Sequence, residues 1–131
     1  MKILIHALDD EQIVLDWLEH LFSDPVYDLH VFSDAKEFED AFNGDVDLVI
    51  TDMRVPGYDL FATLKKFKTI KRGVYLIVIS GYFDDEIYER LFELDVDRVI
   101  KKGSDLKWMF KIENYVNDLF PRIRQRAEIL Q

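Results

Sequence analysis

Five side chains in this sequence could act together: Asp9, Asp10, Asp52, Ser80 and Lys102. Three are carboxylates, one is a hydroxyl and one an ammonium. Crowded carboxylates repel each other and have raised pKa values unless cations are near. A hard divalent ion and a lysine would supply that positive charge, so the set suits a cation-filled acidic pocket. Asp52 is the most telling member. It ends a short apolar run within DVDLVITDMRVPG, residues 45–57, and Pro56 and Gly57 soon follow. Proline lacks a donor and glycine invites a turn, so the strand cannot run on. Asp52 is thus expected at the carboxyl end of a buried strand, facing a crevice.

The elements that must carry these residues are legible from periodicity. Apolar or β-branched runs at residues 2–8, 27–32, 47–51, 74–80 and 96–100 read as strands. Between them, residues 10–22, 34–42, 59–68 and 84–94 repeat their apolar side chains at three- and four-residue spacing and read as helices. Ile13, Val14, Trp17, Leu18, Leu21 and Phe22 form the first inward stripe; in the fourth helix Ile87 and Leu91 point inward with Phe92 or Leu94. Ser104 can cap a fifth helix, which Pro121 ends or kinks. Strand–helix–strand crossovers require parallel pairing with helices on both faces. The strands then leave from one edge, strand one delivering Asp9 and Asp10, strand three Asp52, strand four Ser80, and strand five Lys101 and Lys102. Each residue alone has an ordinary role as a cap, a turn residue or a solvated charge; their convergence does not.

Length and composition set limits. The chain has 131 residues and no cysteine, so one domain is expected, without disulfides or thiol chemistry. That domain occupies residues 1–120, and residues 121–131 form a basic helical tail or the start of a linker. The formal charge of −9 is uneven: residues 1–60 carry a net −12 and residues 61–131 a net +3. The acidic half disfavours a phosphate backbone, so direct nucleic-acid binding is not expected. No apolar run approaches a membrane span and the start is too short for a signal peptide, so a cytoplasmic protein is expected. His6, His20 and His30 lie on three different elements without metal-ligand spacing and read as structural.

With the acidic pair in LDDE, the run DLVITDMRVPG, the VIS-G after strand four and VIKKG after strand five, the chain resembles the response-regulator receiver domains, the CheY-like family, over about residues 2–120. The resemblance implies a flavodoxin-like (βα)5 doubly wound fold with a five-stranded parallel sheet in the order 2-1-3-4-5. It implies that Asp52 accepts a phosphoryl group from a phosphohistidine on a sensor histidine kinase or phosphotransfer protein, in a Mg2+-dependent reaction. Asp10 matches the direct metal ligand, Asp9 its partner acting largely through water, and the backbone carbonyl of Arg54 the main-chain ligand. Ser80 matches the switch hydroxyl and Lys102 the invariant ammonium. Such a domain catalyses its own phosphorylation and dephosphorylation but serves as a signalling switch.

Some positions depart from the family pattern. Val99 stands where an aromatic relay residue is usual, and Gly103 where proline is usual. Arg54 and Tyr82 occupy positions that tune water access to the acylphosphate. The partner surface is expected on helix four, strand five and helix five, where Tyr82, Phe83, Tyr88, Trp108 and Phe110 cluster, either exposed for docking or completing the core. It would meet a downstream effector or a fused output domain. Arg122, Arg124 and Arg126 suit either a linker helix or a dimer arm, which keeps a homodimer among the readings. The alternative function is an interaction module of the same fold that phosphorylation does not control; Val99 and Gly103 favour it. A dehalogenase-type phosphatase would need an acid at position 54, where Arg54 stands. A flavin-phosphate site is disfavoured by the acidic first loop, Asp9-Asp10-Glu11.

Overall fold

The computed structural model describes the backbone of residues 2–129 and the side chains of residues 2–121. Strands β1 (Ile3–Leu8), β2 (Tyr27–Phe32), β3 (Leu48–Asp52), β4 (Tyr75–Ser80) and β5 (Arg98–Lys101) alternate with helices α1 (Gln12–Leu21), α2 (Ala35–Ala41), α3 (Leu60–Ile70), α4 (Asp85–Glu93) and α5 (Met109–Ile129). A 3-10 turn at Leu106–Trp108 leads into α5. All pairings are parallel and the order is β2-β1-β3-β4-β5. This is the doubly wound arrangement implied by the resemblance.

The central strands are buried along their whole length, as a parallel sheet covered on both faces requires. Alternate residues feed two cores. Ile5, Ile50, Ile77 and Ile79 pack with Val14, Leu18, Ile112 and Val116 of α1 and α5. Val49, Leu76 and Val78 pack with Phe38, Leu64, Phe67 and Leu91 of α2, α3 and α4. Aspartates start most of the helices: the carboxylates of Asp34, Asp59 and Asp84 accept the backbone N–H groups of Glu37, Ala62 and Ile87.

Several local expectations need correction. The α1 stripe is narrower than its sequence suggests: Val14, Leu15 and Leu18 are buried, whereas Ile13 (52% exposed) and Trp17 face outward. In α4 the choice between Phe92 and Leu94 falls to Leu94: Leu91 is fully buried, Ile87 and Leu94 pack half-buried against the core, and Phe92, 83% exposed, points away. Asp105, not Ser104, caps the last helical segment, accepting the N–H of Lys107. Pro121 lies inside α5, which continues to Ile129 with one fewer helical hydrogen bond. The expected roles of Arg122, Arg124 and Arg126 lie outside the described side chains. Among the described residues, no helix is long and apolar enough to cross a membrane.

Candidate functional site

The site is built where β1, β3, β4 and β5 stop. Asp9 follows β1 directly, its N–H still donating to the carbonyl of Phe32 at 3.1 Å. Its side chain is fully buried, and Oδ1 accepts the N–H of Glu11 at 2.9 Å. Asp52 is the last residue of β3 and is also buried, with Oδ1 accepting the N–H of Met53 at 2.9 Å. Ser80 closes β4, and its Oγ is engaged by the backbone of Tyr82, donating to the carbonyl at 3.2 Å and accepting the N–H at 3.3 Å. Lys102 extends β5 by one bond, its N–H donating to the carbonyl of Ser80 at 2.9 Å.

The ammonium of Lys102 joins these pieces. Its Nζ lies 2.9 Å from Asp9 Oδ2, 3.0 Å from Glu11 Oε1 and 3.2 Å from Asp52 Oδ2. It also sits 5.8 Å from the centre of the buried Trp108 ring. The five residues singled out from the sequence therefore share one cleft, with a cavity of about 360 Å³ at its mouth that Asp10, Asp52, Ser80 and Lys102 help line. Arg54 and Tyr82 stand on its rim, the guanidinium 5.6 Å from the tyrosine ring centre. Glu11 was not singled out by sequence; its only signal is a third acid directly after the acidic pair.

Charge is poised within this cleft. Burial pushes the Asp52 carboxyl up to about 6, and the neighbouring Asp9 adds to the effect while Lys102 opposes it. Burial also raises Asp9, against its contacts with Lys102 and the N–H of Glu11. Lys102 is pulled down by burial, but Asp9, Glu11 and Asp52 more than compensate and hold it above the ordinary lysine range. An Asp52 near 6 is mostly ionised at neutral pH, so it can act as a nucleophile.

Asp9, Asp10 and Asp52 can each place one carboxylate oxygen within 4.8 Å of the others. One is exposed and two are buried. All are hard oxygen donors, and the mutual repulsion of Asp9 and Asp52 leaves the pocket short of positive charge. The donor set fits a hard divalent cation.

The remaining candidates fall elsewhere. Val99 is half-buried and lines a separate groove of about 340 Å³ with Tyr88, Leu91, Phe92 and Val96. Of the aromatic group expected on the partner face, Tyr82, Tyr88 and Phe110 are exposed, Phe83 is half-buried against Tyr88, and Trp108 is buried in the core. His6 is buried on β1 opposite His30 of β2, the rings 5.5 Å apart, and neither reaches the acidic cleft.

Comparison with known proteins agrees with this geometry. The family model for the response regulator receiver domain matches residues 5–112. The chain is 26% identical over 125 residues to the transcriptional regulatory protein FixJ of Bradyrhizobium diazoefficiens, covering 94% of this chain and 61% of that one. It is 28% identical over 123 residues to the uncharacterised transcriptional regulatory protein YesN of Bacillus subtilis, covering 90% of this chain and 33% of YesN. The chain thus spans less than two thirds of the length of these relatives. The response regulator DrrB of Thermotoga maritima superposes with a TM-score of 0.79 at 18% identity, covering 93% of this chain and 54% of that one, a likeness of fold.

Proposed function

The chain belongs to the response regulator receiver domain family of two-component signalling, and from that premise we propose that Asp52 is its phosphoryl acceptor. The observation that carries this is the contact of Lys102 with both Asp52 and Asp9 inside the acidic cleft. In the proposed reaction a carboxylate oxygen of Asp52 attacks the phosphorus of a phosphohistidine on a sensor kinase or phosphotransfer protein. An O–P bond forms as the P–N bond breaks, and the electron pair leaves on the imidazole nitrogen, which takes up a proton. Lys102 offers its ammonium to the oxygens of the transferred group, where charge builds up during in-line transfer. Asp10, Asp52 and the backbone carbonyl of Arg54 would hold Mg2+, with Asp9 assisting through water. When bound, that ion supplies positive charge to an otherwise repelled anionic group. Water attack on phosphorus later regenerates Asp52 and releases phosphate.

Ser80 couples the chemistry to the surface. Its hydroxyl now bonds the backbone of Tyr82. On phosphorylation it would turn to donate to a phosphoryl oxygen and draw the loop after β4 inward, shifting the population of α4 positions. The responding surface is α4, β5 and the start of α5, with Tyr82, Tyr88 and Phe110 exposed on it. Its partner is an effector protein or an output domain.

A second reading, an interaction module blind to phosphorylation, is favoured by one observation. Val99 is too small to swing between buried and exposed ring positions, so the usual relay has no moving part. Incubation with acetyl phosphate and Mg2+, followed by intact mass, separates the two. One added phosphoryl group, absent in Asp52→Asn, supports the acceptor reading. No uptake by a folded parent leaves the interaction module.

A further inference from the structure

Lys102 meets three carboxylates, and an ammonium has only three hydrogens. Nζ donates to Glu11 Oε1 and Asp52 Oδ2 and is paired by charge with Asp9 Oδ2, so a move onto an arriving phosphoryl oxygen draws it away from one of these partners. Asp9 is fully buried and Asp52 receives the phosphoryl group itself. Glu11 differs: its side chain is 57% exposed and its carboxylate can turn to water at little cost. It also contributes a negative charge at the cleft mouth, where the donor enters.

We propose that Glu11 is a positioning residue that holds one hydrogen of Lys102 in the resting protein and releases it to the phosphoryl oxygen, so that it slows phosphorylation of Asp52. This rests on the reading of Asp52 as acceptor. The contact spans 91 positions of sequence and ties the lysine that follows β5 to the loop after β1. In the resting protein the ammonium is held partly towards the mouth; once Glu11 lets go, it can settle on the transferred group. The device therefore acts on the unphosphorylated state and leaves the acyl phosphate untouched.

Two variants and one optical signal test this. Glu11→Gln keeps the size and loses the charge. Glu11→Asp keeps the charge but is one methylene too short to reach Lys102. With phosphoramidate and Mg2+, both should be phosphorylated between about two- and fivefold faster than the parent, the factor expected of one partly exposed ion pair. Trp108 reports on the lysine, because Nζ lies 5.8 Å from its ring centre. Trp17, the other tryptophan, is removed by Trp17→Phe so that Trp108 emits alone. In that background the resting emission of Glu11→Gln should already be displaced towards that of the phosphorylated parent.

Parental rates in both variants, with unchanged Trp108 emission, would overturn the latch while leaving Asp52 as acceptor. Acceleration in Glu11→Gln alone would also overturn it, since mouth charge rather than a held ammonium would then be responsible. If the parent takes up no phosphoryl group, the acceptor reading fails and the latch falls with it.

Discussion

Arg54 and Tyr82 form the rim over Asp52, with the guanidinium placed towards the tyrosine ring at a distance typical of a weak cation–π contact. They cover part of the path by which water would reach an acylphosphate on Asp52. Arg54→Ala and Tyr82→Ala should each hasten loss of the phosphoryl group, by roughly the factor of a few that one such contact is worth. Following the phosphorylated mass over time after donor removal would show it, and decay at the parental rate in both variants would end the shielding account. At this scale much of the site was legible. Asp9, Asp52, Ser80 and Lys102 are readable because each follows an apolar run and so must sit at a strand end. Glu11 was not, because its role depends on a contact with Lys102 that no local pattern encodes. The aromatics near the expected partner face could equally dock or complete the core, and no local pattern decides between them: Trp108, in the 3-10 turn at Leu106–Trp108, is buried, whereas Phe110 is exposed.

Between β3 and α3 the loop that carries the Arg54 carbonyl is held by backbone bonds, such as the Met53 N–H donating to the carbonyl of Ile79 at 3.0 Å, and by a side-chain link. Thr51 Oγ1 donates to the carbonyl of Asp52 at 2.8 Å, and Tyr58 OH lies 2.8 Å from the same Oγ1. With the threonine hydrogen already committed, the tyrosine is the donor. Tyr58→Phe removes that bond, and a loss of about 1 kcal/mol in urea unfolding is expected. If the Arg54 carbonyl is the main-chain metal ligand proposed above, Mg2+ affinity should fall as well, because its loop is then less well held. Unchanged affinity would show that the tyrosine link does not hold the loop in place. The elements themselves were largely readable: β2 and α2 follow from alternation and from Asp34 standing ahead of Glu37. The width of the buried stripe was not. Six apolar residues in α1 suggest a broad inner face, yet a helix on a flat sheet covers one narrow strip, and the hydrophobic Ile13 and Trp17 are left in solvent. The cap expected at Ser104 falls one residue later, at Asp105, because the 3-10 turn begins at Leu106.

At the level of the whole molecule, acid stability should depend on the first strand. Burial, with His30 adding to it and Asp28 opposing, lowers the His6 imidazole from 6.5 to about 4. The unfolded chain therefore binds this proton first. The contribution is complete above about pH 6.5 and is lost as the pH falls towards 4, a change on the order of 3 kcal/mol. Asp52, raised to about 6, acts with the opposite sign: the folded protein binds its proton first, so this term favours folding as the pH falls. A comparison of His6→Leu with the parent isolates the imidazole. Urea midpoints measured at pH 7 and pH 4.5 should lie closer together in the variant; equal gaps would show that other groups govern acid unfolding.

One asymmetry of the fold bears on specificity. Helix α4 rests on the sheet through Leu91 as its sole fully buried side chain, aided by the Arg90 guanidinium lying 3.6 Å over the Phe61 ring. Ile87 packs half-buried against the same core and Tyr88 meets Phe83, while Asp85, Glu86, Glu89, Phe92 and Glu93 are exposed. If this helix is part of the proposed partner surface, the identity of whatever reads it can be rewritten at those exposed positions, while the interior that keeps the chemistry intact stays as it is.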